Sequence, residues 1–232
     1  MFKFYGFLFF CFVVYGCHSQ PLKTPPKNGT LIVKYYFFDT KTNKEQQNTL
    51  IPNTKVLYYK DFIIEQYIQT KNVKVGNLET VISKDSSFYF INTVSGKCDR
   101  YTSFSSNATK AESLKWEDKL IGLVGLQKSM SPSTYGINEQ TAFADTLIDN
   151  KLYKFCIHKK PTDKTITYFV KNQVTGLPIM KLFDKKYGTL ARVDRIENVS
   201  GSMTSVRLEI KPENLTKNEI QVFDAWEKKQ KN

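Results

Sequence analysis

Apolar positions are distributed very unevenly along this chain. Behind a single charge at Lys3, Phe4 to Gly16 is an uncharged apolar run of thirteen residues. A polar, proline-bearing stretch follows, and from Gly29 the apolar residues come as short runs rich in Val, Ile, Thr, Tyr and Phe. Such residues suit a pleated, half-buried surface. Leu31 to Phe38, interrupted only by Lys34, predicts a central strand. Lys55 to Tyr59 and Phe62 to Ile68 predict a hairpin turning at Lys60-Asp61, and Ser87 to Thr93 with Lys97 to Phe104 another turning at Ser95-Gly96.

Between residues 109 and 139 the pattern is less regular. Thr109 to Leu120 holds helix formers with Ala111, Leu114 and Trp116, and predicts a short helix or an irregular crossing. Ser129 to Glu139 is aperiodic and predicts a long loop, the kind of segment that often carries binding. Five strands are then predicted in succession: Leu152 to His158, Ile166 to Lys171, Pro178 to Asp184, Thr189 to Glu197 and Met203 to Ile210. The last alternates, with Thr204, Val206, Leu208 and Ile210 toward a core and Met203, Ser205, Arg207 and Glu209 toward water. Short connections between the last four imply an antiparallel meander. A helix over 216–230 closes the chain, started by a Thr216/Glu219 capping box with Leu215 stapled onto Ile220. Its apolar stripe is Ile220, Phe223 and Trp226, and Lys228, Lys229 and Lys231 complement its C-terminal dipole. The fold class expected is mainly β (α+β): a curved antiparallel sheet or half-barrel with one or two packed helices.

The first apolar run has its own meaning. A bilayer-spanning helix needs about twenty apolar residues, so thirteen behind a lone lysine fit a signal peptide over residues 1–16. Val13-Val14-Tyr15-Gly16-Cys17 resembles a bacterial lipobox, with Val14, Gly16 and Cys17 at the aliphatic, small and modified positions and Tyr15 departing from the usual small residue. The resemblance implies a lipid on Cys17; ordinary cleavage near Ser19 is the alternative. Residues 17–28, with Pro21, Pro25 and Pro26, predict an extended tether. Residues 29–232 are long enough for one β-rich domain.

Composition narrows the partners. The net charge is +12, but only Arg100, Arg192, Arg195 and Arg207 of the 34 basic residues are arginine. Phosphate and base recognition leans on arginine's planar fork, so no nucleic-acid partner is expected. Residues 151–232 carry 17 Lys or Arg against 9 Asp or Glu, which reads first as a solvated lysine-rich face; attraction to anionic lipid or polysaccharide is the alternative. With Cys11 in the leader and Cys17 at the lipid site, Cys98 and Cys156 remain. They either bridge or stay separate buried thiols.

Chemistry-bearing motifs are scarce. His158 is the single histidine beyond the tether, and zinc-ligand, Walker and nucleophile-elbow patterns are absent from the sequence. No metal, cofactor or enzymatic activity is expected. Cys156 and His158, two apart on a strand, share a face, as any two such neighbours do. Asn28, Asn107, Asn198 and Asn214 head Asn-x-Ser/Thr triplets, about as many as chance supplies in a chain rich in these residues.

One family resemblance covers about a fifth of the chain. Tyr168-Phe169-Val170, Thr175-Gly176-Leu177-Pro178-Ile179-Met180, Phe183-Asp184 and Gly188-Thr189-Leu190 resemble the repeated hairpins of the LolA/LppX-like superfamily of exported bacterial proteins. Gly176-Leu177-Pro178 is also similar to part of the GLPGLI motif of small secreted Bacteroidetes proteins. The first resemblance implies a half-barrel over helices that cradles an acyl chain. Two functions follow as expectations: a lipid-anchored envelope protein holding an apolar ligand between strands such as Tyr35 to Phe38 and Phe88 to Ile91, or a structural lipoprotein that contacts envelope polymers or proteins without a small ligand.

Overall fold

The computed structural model describes residues 27–39, 42, 44–48, 53–75, 78–116, 137–170 and 187–231. The leader, Cys17, the tether up to residue 26, most of the 129–139 loop and the Thr-Gly-Leu-Pro segment lie outside these residues.

Twelve strands form one antiparallel sheet that is not closed into a barrel. They are β1 (Asn28–Asp39), β2 (Lys44–Gln47), β3 (Thr54–Tyr59), β4 (Phe62–Val75), β5 (Leu78–Asn92), β6 (Lys97–Tyr101), β7 (Lys110–Lys115), β8 (Ala144–Ile148), β9 (Lys151–Lys159), β10 (Asp163–Val170), β11 (Thr189–Glu197) and β12 (Met203–Pro212). Helix α1 (Lys217–Lys231) follows. The ladder runs β7-β6-β5-β4-β3-β1-β12-β11-β10-β9-β8, with β2 also paired to β1. From β1 in the middle of the sheet the chain meanders out to β7, resumes at the opposite edge in β8 and meanders back. Strands β3–β7 form one wing and β8–β12 the other, with β1 as the seam.

The apolar run of β1 explains its place. Leu31, Val33 and Tyr35 are buried on one face and Thr30 on the other, and the strand is paired along both edges. Ten register pairs tie β1 to β12 from Gly29–Pro212 to Phe38–Met203. Gly29 is needed at this seam: a Cβ there would run into the Lys211 carbonyl and the Tyr58 hydroxyl. The turn at Lys60-Asp61 takes Lys60 into the left-handed region at φ 56°. The next hairpin is shaped by Asn92, whose Oδ1 accepts from the amides of Val94 and Ser95, and by Gly96 at φ 73°.

Apolar side chains gather on both faces. One cluster joins Leu31, Val33, Val56, Ile63 and Ile91 of β1 and the first wing to Cys156, Phe169, Leu190 and Leu208 of the second. The other lies between the outward face of β3–β6 and α1, and holds Leu57, Phe62, Ile64, Phe90, Tyr101, Val222, Phe223 and Trp226. The α1 capping box forms: Glu219 Oε2 accepts from the Thr216 amide at 2.8 Å, and the Glu219 amide donates to Thr216 Oγ1 at 3.2 Å. Trp226 is fully buried, stacked on Tyr101 with centroids 4.0 Å apart, and its Nε1 donates to the Ser105 carbonyl.

Two expectations are corrected. Residues 110–115 are edge strand β7, paired with β6, because ladder hydrogen bonds outweigh the modest helix preference of Lys-Ala-Glu-Ser-Leu-Lys. Strand β10 pairs with β11, Val170 opposite Thr189, and the strand expected over Pro178 to Asp184 lies outside the described residues. The Ser205 side of β12 does not simply face water, since Ser205 is buried in a polar cluster.

Candidate functional site

Strict alternation sets what each strand shows outward. Ile32, Lys34, Tyr36 and Phe38 of β1 share the outward face with Lys55, Leu57 and Tyr59 of β3 on one side and Ser205, Arg207 and Glu209 of β12 on the other. Across the first wing that face is covered by α1; across the second no helix among the described residues covers it. The two exposed concavities that follow differ accordingly.

Beside α1 lies a groove of about 250 Å³, walled by Leu57, Ile64, Phe88 and Phe104 and rimmed by Lys55, Gln66 and Glu219. The register places Leu57, Ile64 and Phe88 on one face of three adjacent strands. Phe104 comes from the segment after β6 and packs on Phe88 with centroids 5.6 Å apart. That segment is pinned to the helix by Trp226 and by Lys229, whose Nζ donates to the carbonyls of Ser106 and Ala108. At the rim Lys55 stands 3.9 Å from Glu219. The wall offers apolar surface and almost no hydrogen-bonding capacity, so it can take hydrocarbon and little else.

On the second wing the outward face carries an ion cluster. Asp194, 2 % exposed, accepts from Arg192 Nε at 2.7 Å and from the Tyr168 hydroxyl. Glu45 of β2 pairs with Arg207, and Arg192 Nη2 stands 3.6 Å from Glu45. The Arg207 guanidinium lies over the Tyr36 ring at 4.3 Å and that of Arg192 over Tyr168 at 5.5 Å. Burial pushes the Tyr168 phenol up, reinforced by the Asp194 charge. Next to it Lys34 bridges Glu209 at 2.8 Å, and the Lys34 hydrogen bond, then that of Lys211, holds the Glu209 carboxyl below its ordinary range. A cleft of about 330 Å³ opens beside this cluster.

The residues singled out from sequence separate as follows. Cys98 and Cys156 are both buried and not bridged to each other, eight strand positions apart in the ladder order. Burial pushes the Cys156 thiol up to about 11, against a hydrogen bond with the Thr167 backbone. At neutral pH it is therefore a protonated core thiol with no nucleophilic character. His158 lines a shallow depression with Cys156 and Phe143. Tyr35 to Phe38 cannot line one concavity, because consecutive strand residues point to opposite faces: Tyr35 is core, Tyr36 borders the charged cleft and Phe37 is exposed. Phe88 to Ile91 divides likewise, and Phe88 alone of that run lines the groove. Glu45 had no sequence signal, as its partners lie some 150 residues away in strands β11 and β12. Among the described residues no group of three or more His, Cys, Asp and Glu is placed to hold a metal ion.

No family model and no curated protein matches the chain. Among solved structures, PNGF-II in a P21 crystal form gives a TM-score of 0.35 at 10 % identity, over 83 % of this chain and 30 % of that one. A C2 form gives 0.33 at 10 % identity, over 84 % and 29 %. The chain thus spans less than a third of the PNGF-II chains it matches. A domain described as an outer membrane lipoprotein-sorting protein, from Vibrio parahaemolyticus, gives 0.27 at 11 % identity, over 88 % of this chain and 92 % of that one. None of the three scores defines a shared fold, and function is read from the chain's own residues.

Proposed function

We propose that this chain is an exported envelope protein, held to a membrane by lipid on Cys17, whose groove beside α1 takes an acyl chain or another apolar segment. The observation that carries the reading is the wall of Leu57, Ile64, Phe88 and Phe104, left open next to a docked helix. Its 250 Å³ falls just below the roughly 300–1,000 Å³ of small-molecule pockets. The groove therefore suits part of a hydrocarbon chain, with the polar end left in water beside Lys55 and Glu219. The protein is a binder without catalytic activity and without a nucleic-acid partner. In support of the latter, all four arginines pair with carboxylates: Arg100 with Glu112, Arg192 with Asp194, Arg195 with Asp163 and Arg207 with Glu45.

Organic extraction and mass spectrometry of the protein purified from bacterial membranes should recover a co-purifying lipid. An environment-sensitive fatty-acid analogue should bind saturably and lose that binding in Phe104→Glu. Absence of both lipid and saturable binding would leave the structural-lipoprotein reading standing instead. For the anchor, metabolic labelling with a fatty acid should mark the wild type and spare Cys17→Ser; equal labelling would reject it.

A further inference from the structure

The cleft on the other wing is of opposite chemical character to the apolar groove. We propose that the cleft beside the Arg192–Arg207 cluster binds a neutral saccharide unit. Its volume, about 330 Å³, is at the lower end of the roughly 300–1,000 Å³ of ligand pockets. Tyr153 borders it as an aromatic surface, Tyr36 lies under the Arg207 guanidinium, and Lys34, Arg192, Arg207 and Glu209 supply donors and acceptors around them.

Three observations select the ligand class. First, the polar groups are fixed before any ligand arrives. Arg192 is held by Asp194 and lies over Tyr168, and Arg207 is held by Glu45 and lies over Tyr36. Their ordering entropy is already spent, which lowers the cost of binding. Arg207 still keeps a third of its side chain exposed. Second, the charges balance in number: Lys34, Lys151, Arg192 and Arg207 against Asp149, Glu209, Asp194 and Glu45. A polyanion gains little from a balanced surface, since counterion release needs unpaired cations. Third, an apolar chain laid over these ions would have to strip their water without replacing it. A sugar ring answers all three conditions. Its C–H face fits an aromatic ring, and its hydroxyls both donate and accept around the rim.

The test uses the full chain, with cellotetraose and chitotetraose as neutral probes and dextran sulfate as the anionic one, read by isothermal titration and tyrosine fluorescence. At least one neutral probe should bind with a Kd at or below about 1 mM and stay bound as salt is raised. Tyr153→Ala should weaken that binding about tenfold with an unchanged unfolding curve. Phe104→Glu should leave it intact, which separates this site from the apolar groove. No saturable binding of either neutral sugar at millimolar concentrations would overturn the proposal. So would binding unchanged in Tyr153→Ala, or tighter binding of dextran sulfate that salt abolishes.

Discussion

Strands β3 to β7 and strands β8 to β12 are meanders of the same kind, flanking β1 on either side, yet their outward faces are finished by different physics. On the first wing α1 lies over the sheet and buries Val222, Phe223 and Trp226 against Leu57, Phe62, Ile64 and Phe90. On the second, the equivalent face holds Arg192, Arg207, Glu45 and Asp194 beneath and beside Tyr36 and Tyr168. Hydrophobic burial is non-directional and tolerates an imperfect fit, which is how an apolar groove is left at its margin. An ion cluster demands partners at set distances, and so it leaves a cleft whose polar groups are fixed in place. The difference predicts that the first wing is the more costly to damage and the second the more exacting about which residue is changed.

Trp226→Ala should have the largest effect, destabilising by about 3–5 kcal/mol in urea unfolding. Hydrogen exchange should rise in β4–β6 and α1 well before β9–β11. Equal loosening of both wings would break the contrast between them. Arg192→Met comes next, at about 1.5–3 kcal/mol, because it leaves the Asp194 carboxylate buried with its principal charged partner gone. Adding Asp194→Leu should recover part of the loss, since an apolar pair can replace an ion pair where a half-pair cannot. Thr216→Ala removes the capping box and should cost about 1 kcal/mol, read as an earlier loss of the helical circular-dichroism signal.

Lys34→Gln should cost no more than about 1 kcal/mol, since its pair with Glu209 is well exposed. The sign with pH is set by Glu209, whose carboxyl is held low in the folded state by Lys34 and then Lys211. Its contribution is present above the unfolded value near pH ~4.3 and is lost as pH falls through the lower folded value. The difference in Tm between the variant and the wild type should therefore vanish in acid. The smallest perturbation needs no substitution. A thiol reagent should label neither Cys98 nor Cys156 in the folded protein and both after denaturation without reductant, read by mass spectrometry of the labelled peptides; a disulfide would leave both unlabelled throughout.

Much of the fold was legible because it is local. The apolar run at Leu31 marked the seam strand, the bounds of β11 match those expected, Thr189 to Glu197, and Thr216 with Glu219 announced α1. What escaped was specified by distant partners. Lys44–Gln47 has no apolar residue to mark it as β2, and is a strand through its pairing with β1. Residues 110–115 prefer helix weakly and are drawn into the sheet by the free edge of β6. The β4–β5 hairpin runs much further than the apolar runs that marked it, to Val75 and back from Leu78. The candidate sites were less legible still. Phe104 reaches Phe88 because Trp226 and Lys229 hold its segment down, and Glu45 meets Arg207 only when the seam has formed.

That seam joins the first strand of the body to its last, a pairing that spans nearly the whole domain. Hairpins such as β3–β4, β8–β9 and β11–β12 close short loops, whereas β1 and β12 must close a loop that spans nearly the whole domain. Until β12 emerges, β1 presents an open, aromatic-rich edge from Tyr35 to Phe38, the kind of template on which chains aggregate. A chain that finishes synthesis with its middle still unsewn stays extended and unprotected for longer than a meander alone would. It therefore has the most to gain from a chaperone that masks one particular strand.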